Sequence, residues 1–212
     1  MGERRIPYAW RQAPTRMVLD MKRIVCVLGS PRRDGNSESI ARRALDVAEG
    51  VGAEIAIYRL YELNFRGCTA CLACKRTSEE CVLKDDLAPV LRAVRQADGL
   101  ILASPIYFGQ ITGELKSFID RMYSMLAPGY LSSSDRSRLS PGRKCGFITT
   151  QGNPSPEVFA NVFPTYEGFL GPEWMGYETR AIRGLGLGDP TAAAASDELM
   201  SQARAMGEWL VS

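Results

Sequence analysis

Five times in succession a short apolar or β-branched run is followed by a segment of helical period, and this alternation limits the chain to very few architectures. "KRIVCVLG" (22–29) is an unbroken apolar stretch closed by glycine, as expected of a strand buried on both faces. "SESIARRALDVAEGVG" (37–52) then spaces its apolar residues as a helix does and ends in glycine. "AEIAIYRL" (53–60) reads as the second strand. In "DDLAPVLRAVRQAD" (85–98), Asp85 and Asp86 suit a helix N-terminus. "GLILASPIYFG" (99–109), "KCGFITTQGN" (144–153) and "MGYETRAIRG" (175–184) read as the remaining strands. "GELKSFIDRMYSML" (113–126), "SPEVFANVFPTYEGFLG" (155–171) and "SDELMSQARAMGEWLV" (196–211) read as the helices that follow them. The pattern predicts an α/β three-layer sandwich around a five-stranded parallel sheet.

At 212 residues and 45% hydrophobic, one core is expected, formed by a single domain over residues 21–212. Residues 1–20 lack a clear period and contain Pro7 and Pro14. They read as an N-terminal arm: a weakly ordered tail, a segment anchored on a neighbouring subunit by Tyr8 and Trp10, or the product of an upstream start, with Met17 and Met21 as alternatives. "RGLGLGDPTAAAA" (183–195) is expected to be a solvent-exposed connector.

Composition removes whole classes of function. Lys and Arg number 26 against 24 Asp and Glu, without the basic field that nucleic acid requires. Neither a spanning apolar run nor a signal-peptide core is present, so no membrane partner is expected and a cytoplasmic, reducing location is. The chain contains no histidine, which excludes histidine-dependent triads, His-ligated zinc or haem, and an imidazole base. No catalytic side chain is expected, and the chemistry should come from a cofactor.

The first strand runs into "GSPRRDGNSES" (29–39). A glycine-rich turn between a parallel strand and a helix exposes backbone amides at the positive end of a helix dipole, where phosphate is stabilised. Ser30, Asn36 and Ser37 add neutral donors there, and Arg32 or Arg33 adds charge. A P-loop would need one residue fewer between Gly29 and Gly35 and a lysine in place of Asn36, and GxGxxG is absent. The third strand closes in "SPIYFG" and the fourth in "TTQGN", at the sheet edge where open α/β folds bind ligands. One phosphate loop and two loops able to flank a ring describe a mononucleotide with a large heterocycle.

"CTACLACKRTSEEC" (68–81) crowds four of the six cysteines into the spacing CxxCxxCx6C. A disulfide knot, a zinc site, an iron-sulfur ligand set and a redox switch all fit four close thiols. Three compact thiolates can wrap three corners of a cube while a fourth closes it. A single zinc ion more often uses two separated pairs. Free or paired thiols without a cluster stay open as an alternative. Cys26 and Cys145 fall inside predicted strands and read as small hydrophobes.

From about Lys22 to Trp209 the sequence resembles the flavodoxin-like NAD(P)H-dependent FMN reductases, and within them the iron-sulfur flavoproteins. The carriers are "GSPRRDGNSE", "CTACLACKRTSEECVLKDD", "ADGLILASPIYFGQITGELKSFIDR" and "TTQGNP". The resemblance implies a flavodoxin-like fold with FMN phosphate at Ser30, Pro31, Arg32, Asn36 and Ser37. It implies flavin contacts from Pro105, Ile106, Tyr107, Phe108, Gly109, Thr150, Gln151 and Gly152, and a 4Fe-4S cluster on Cys68, Cys71, Cys74 and Cys81. It also implies NAD(P)H as co-substrate, or a ferredoxin-like donor, with an acceptor the sequence does not name, in a homodimer or homotetramer. Aromatic and apolar residues in "NVFPTYEGFLGPEWMGY" (161–177) exceed what one helix and turn need for a core, so part of the stretch is expected to face a partner subunit, with simple core packing as the alternative. The expected function is an FMN-dependent oxidoreductase that relays electrons between flavin and cluster. Its alternatives are a simple NAD(P)H-dependent FMN or quinone reductase without a cluster, and a non-enzymatic flavin-binding thiol switch.

Overall fold

A parallel sheet forms the middle layer of the protein, its strands running β2 (Glu54–Arg59), β1 (Arg23–Leu28), β3 (Gly99–Tyr107), β5 (Arg143–Thr150) and β6 (Tyr177–Gly184) from one edge to the other. The computed structural model describes residues 21–212, so the expected arm, residues 1–20, lies outside the described residues. In chain order the elements are β1 (Arg23–Leu28), α1 (Asn36–Gly50), β2 (Glu54–Arg59), the single turn α2 (Ala73–Arg76), α3 (Leu87–Gln96) and β3 (Gly99–Tyr107). There follow β4 (Gln110–Ile111), α4 (Gly113–Arg121), β5 (Arg143–Thr150), α5 (Val162–Leu170), β6 (Tyr177–Gly184) and α6 (Asp197–Val211). The five long strands are parallel, and two-residue β4 folds back antiparallel on β3.

Strand periodicity sorts the core into two layers. On β1, Ile24, Cys26 and Leu28 pack with α1 and α6, whereas Val25 and Val27 point to the face covered by α3, α4 and α5. Cys26 and Cys145 are buried as expected of small hydrophobes, and burial pushes both thiols up to about 12. No helix among the described residues is long and apolar enough to cross a membrane.

The strand order reverses between β1 and β3, so the loops leaving their carboxyl ends diverge and open a crevice. Close packing fixes its floor. The Gly29 amide donates to the Ala103 carbonyl at 2.8 Å, and Thr112 Oγ1 donates to the Gly29 carbonyl at 2.6 Å. A Cβ on Gly29 would sit 2.8 Å from Leu115 Cβ, which is why the first strand must end in glycine.

One expected element is corrected. The segment 155–171 was expected to be helical throughout, yet the helix begins only at Val162, and Phe159 has φ +62. Side chains capture the carbonyls a longer helix would have used. Gln151 Nε2 donates to the carbonyls of Asn153, Ser155 and Val158 at 3.0, 3.3 and 3.2 Å, and Arg183 donates to those of Pro156 and Val158.

Under the first crevice loop, Glu38 is almost fully buried in the first turn of α1. Its carboxylate accepts a fork from Arg59 on β2, a 2.7 Å bond from Arg42 Nε, and the Asp34 amide at 3.1 Å. Burial alone would raise its pKa, but the bonds from Arg59, Arg42 and Asp34 outweigh burial and bring it down to about 2. A carboxylate with a depressed folded-state pKa stabilises the fold above its unfolded pKa, and that stability is lost as pH falls through the folded value. Glu38 is therefore expected to contribute roughly 3 kcal/mol at neutral pH, lost between about pH 5 and 2. Urea unfolding against pH checks this: Glu38→Gln should flatten the acid limb, and an unchanged limb would contradict it.

Candidate functional site

The carboxyl edge of β1, β3 and β5 surrounds a cleft enclosing about 210 Å³. Of the residues expected around the nucleotide, it brings together Ser30, Arg32, Asn36 and Ser37 from the first loop, Pro105, Ile106 and Tyr107 from β3, and Thr150, Gln151 and Gly152 after β5. Pro31, Phe108 and Gly109 stand outside its lining. Gly35 is the N-cap of α1 and offers no side-chain bond, so the helix presents its first-turn amides to the cleft without a side-chain cap. Arg33 pairs with Glu62 at 2.6 Å. Arg32 makes no ion pair among the described residues and lines the cleft, which leaves it as the cation available to an anion.

Two expected contacts are committed elsewhere. Asn36 Nδ2 donates to the Asp189 carbonyl at 2.7 Å, and Asn36 Oδ1 accepts from the Ala193 amide at 2.8 Å. The side chain thus ties the connector after β6 to the start of α1. The connector is largely exposed, as expected, but it also contributes Leu187, Gly188 and Pro190 to the cleft wall, a role its glycine-rich sequence did not announce. Gln151 is likewise spent on the 153–158 carbonyls, so it shapes the rim.

At the tip of the β3–β4 hairpin, Phe108 has φ +49 and Gly109 φ +85, the pair of left-handed residues that a tight hairpin turn requires. Asparagine or glycine is usual at the first of these positions. Here a fully solvent-exposed phenylalanine occupies it.

The loop after β2 carries the four clustered cysteines. Cys68, Cys71, Cys74 and Cys81 are unpaired and border one concavity together with Arg121 and Tyr123. Ala70 and Leu72 adopt φ +53 and +59 between the first three cysteines. Such alternation of backbone hand turns successive amides inward and forms anion-binding hollows, including those of iron-sulfur sites. Lys75 Nζ donates to the carbonyls of Tyr123 and Leu126 at 2.5 and 2.6 Å and stays beside Cys74; burial lowers its pKa, with Cys74 opposing that shift. Among the described residues, no three Cys, Asp or Glu side chains gather closely enough to hold a single metal ion. The concavity encloses about 20 Å³, roughly the space of one water. A cubane presents a different iron to each thiolate, so its ligands stand further apart than those of one ion, and four thiols around one hollow are the donor chemistry such a group uses.

Beside Cys68 and Ala70 a wider groove of about 740 Å³ runs between α4 and α5, lined by Tyr123, Tyr166, Phe169 and Trp174. Phe169 is 55% exposed, whereas Val162, Tyr166 and Leu170 of the same helix enter the core. The aromatic surplus in 161–177 is therefore split between core and surface.

A model of the family described as NADPH-dependent FMN reductase matches residues 22–154. The chain is 39% identical over 98 residues to an iron-sulfur flavoprotein of Archaeoglobus fulgidus, covering 46% of this chain and 44% of that protein. It is 37% identical over 99 residues to an iron-sulfur flavoprotein of Methanosarcina thermophila, covering 47% of this chain and 51% of that protein. The match thus spans about half the length of these relatives. In fold, it is similar to the NAD(P)H:quinone oxidoreductase of Methanothermobacter marburgensis, with a TM-score of 0.66 at 17% identity over 90% of this chain and 97% of the other.

The left-handed Phe108 leads to a measurable expectation. Asparagine tolerates this backbone better, so Phe108→Asn should stabilise the nucleotide-free protein by about 1 kcal/mol. Chemical denaturation reads the change, and a loss of stability would show that the exposed ring is held by a contact the backbone argument omits.

Proposed function

The chain belongs to the NADPH-dependent FMN reductase family, and on that premise we propose that it is an FMN-dependent oxidoreductase that relays electrons through a 4Fe-4S cluster. The observation that carries the flavin part is the convergence of three separate loops on one cleft at the strand-order reversal. The first-turn amides of α1 and the Arg32 guanidinium bind the phosphate. Pro105, Ile106 and Tyr107 flank the ring on one side, and Thr150 and Gly152 border it on the other. FMN, when bound, supplies acceptance of a hydride from reduced nicotinamide and release of electrons one or two at a time. No side-chain base is needed, consistent with a chain that has no histidine.

The cluster part rests on four unpaired thiols around one hollow and on relatives named iron-sulfur flavoproteins. A 4Fe-4S group, when bound, supplies one-electron transfer. Cys68, Cys71, Cys74 and Cys81 would hold it on the same edge of the sheet as the flavin loops, because the loop leaves the carboxyl end of a parallel strand. A specific observation favours the simpler reductase instead: the hollow is closed down to the volume of about one water. Anaerobic purification separates the two readings. The relay predicts FMN with four iron and four sulfide per chain, whereas FMN without either would leave a simple reductase with a thiol loop.

The phosphate assignment has its own test. Arg32→Ala should weaken FMN binding by roughly 1–3 kcal/mol, the scale of a lost charge-assisted hydrogen bond. Unchanged affinity in a fluorescence titration would remove Arg32 from the site. The exposed Phe169 and the aromatic groove support a homodimer or homotetramer. Sedimentation should find it at micromolar concentration, and a monomer throughout would overturn the assembly.

A further inference from the structure

Arg121, the last residue of α4, is a fully buried cation that the flavin cleft does not use. Its guanidinium makes five contacts, all directed at the two stems of the cysteine loop. Nη1 donates to the Arg66 carbonyl at 2.9 Å, two residues before Cys68, and to Asp85 Oδ2 at 2.8 Å. Nη2 donates to Asp85 Oδ1 at 3.2 Å and to the Leu83 carbonyl at 3.4 Å, two residues after Cys81. The remaining donor, Nε, points at Cys81 Sγ from 2.9 Å. One side chain therefore clamps both ends of the loop and faces the sulfur of its distant fourth cysteine.

We propose that Arg121 is the positioning residue of the cysteine site: it holds Cys81 in register with Cys68, Cys71 and Cys74 and stabilises negative charge on the group those sulfurs carry. The inference rests on the cluster reading given above. Hydrogen bonds to ligating sulfurs and nearby charge are among the levers that set a cluster's potential. When one electron arrives from the flavin, the cluster gains one negative charge; no bond is made or broken, and the guanidinium keeps its proton. A cation whose N–H meets the sulfur favours that reduced state and raises the potential. Asp85 keeps Arg121 from being an unpaired buried charge and fixes its plane through two parallel bonds, which aims Nε at the sulfur. Lysine could supply the charge but not this fork.

The test uses the anaerobically purified full chain with FMN and cluster. Three forms are compared: wild type, Arg121→Lys, and the neutral pair Arg121→Met with Asp85→Asn, which leaves no unpaired carboxylate behind. FMN content serves as the control for folding, and iron, sulfide and the mediator-titrated cluster potential are the readouts. Both variants are expected to keep FMN and either to lose at least half of the iron or to shift the one-electron equilibrium at least tenfold toward the oxidised cluster, a fall of 59 mV. Wild-type protein labelled with ¹⁵N-arginine should also show nitrogen coupling to the reduced cluster in pulsed EPR, a readout that depends on no variant folding. A cluster-bearing protein without that coupling, whose folded variants match wild type in iron and potential, would overturn the role of Arg121 alone. Wild-type protein that binds FMN but contains neither iron nor sulfide would instead overturn the cluster reading, and this inference with it.

Discussion

Helix α4 is pinned at both ends, and the geometry of each half of the candidate site depends on it. At its start, Thr112 caps the helix by accepting from the Leu115 amide while donating to the Gly29 carbonyl at the end of β1. At its finish, Arg121 is bonded to both stems of the cysteine loop. Nine residues at 1.5 Å each separate the two anchors by about 14 Å. The loop after β1 and the thiol loop, far apart in sequence, are thus referred to one short rigid rod. Its inner face, Leu115 and Phe118, is wholly buried in the core, as is Met122 just beyond its end. A cavity in that face would tilt the rod and disturb both loops together.

The second constraint is electrostatic. A helix N-terminus that is to receive a phosphate must not satisfy itself with its own acidic side chain, yet α1 carries Glu38 in its first turn. The conflict is resolved by turning Glu38 inward onto Arg59 and Arg42, where its charge is neutralised beneath the loop. Its remaining bond, from the Asp34 amide, steadies the loop from below. The amides above keep their positive end open to the cleft, with Arg32 beside them. The acid sensitivity of the fold and the open positive end of α1 at the cleft therefore have a common origin in where one carboxylate points.

Strand and helix order, the parallel sheet and the positions of the three crevice loops were legible in the sequence because each follows from local periodicity. What was not legible depends on contacts distant in the chain. The segment before α5 has a helical pattern, but its carbonyls are taken by Gln151 and Arg183, which lie on other elements. Asn36 looked like a phosphate donor by position, yet it is held by Asp189 and Ala193, more than 150 residues away. Arg121 left a trace that went unused: it falls three residues after Phe118, on the apolar stripe of its helix, where a charge is anomalous unless it has buried partners.

Backbone strain points to the same edge of the sheet as the side chains do. Five described residues other than glycine have positive φ: Asp34, Ala70, Leu72, Phe108 and Phe159. Asp34 lies between β1 and α1, Ala70 and Leu72 between β2 and α3, Phe108 between β3 and β4, and Phe159 between β5 and α5. Every one is in a loop leaving a carboxyl strand end, and none is in a loop at the opposite edge. A left-handed residue with a side chain costs on the order of 1 kcal/mol, so a set confined to one edge is maintained against a local preference. The packed sheet and the two anchors of α4 supply the rigidity that holds it. The loops so held are the ones that border the cleft and the thiol hollow, and the stability their strain costs is drawn from the core beneath.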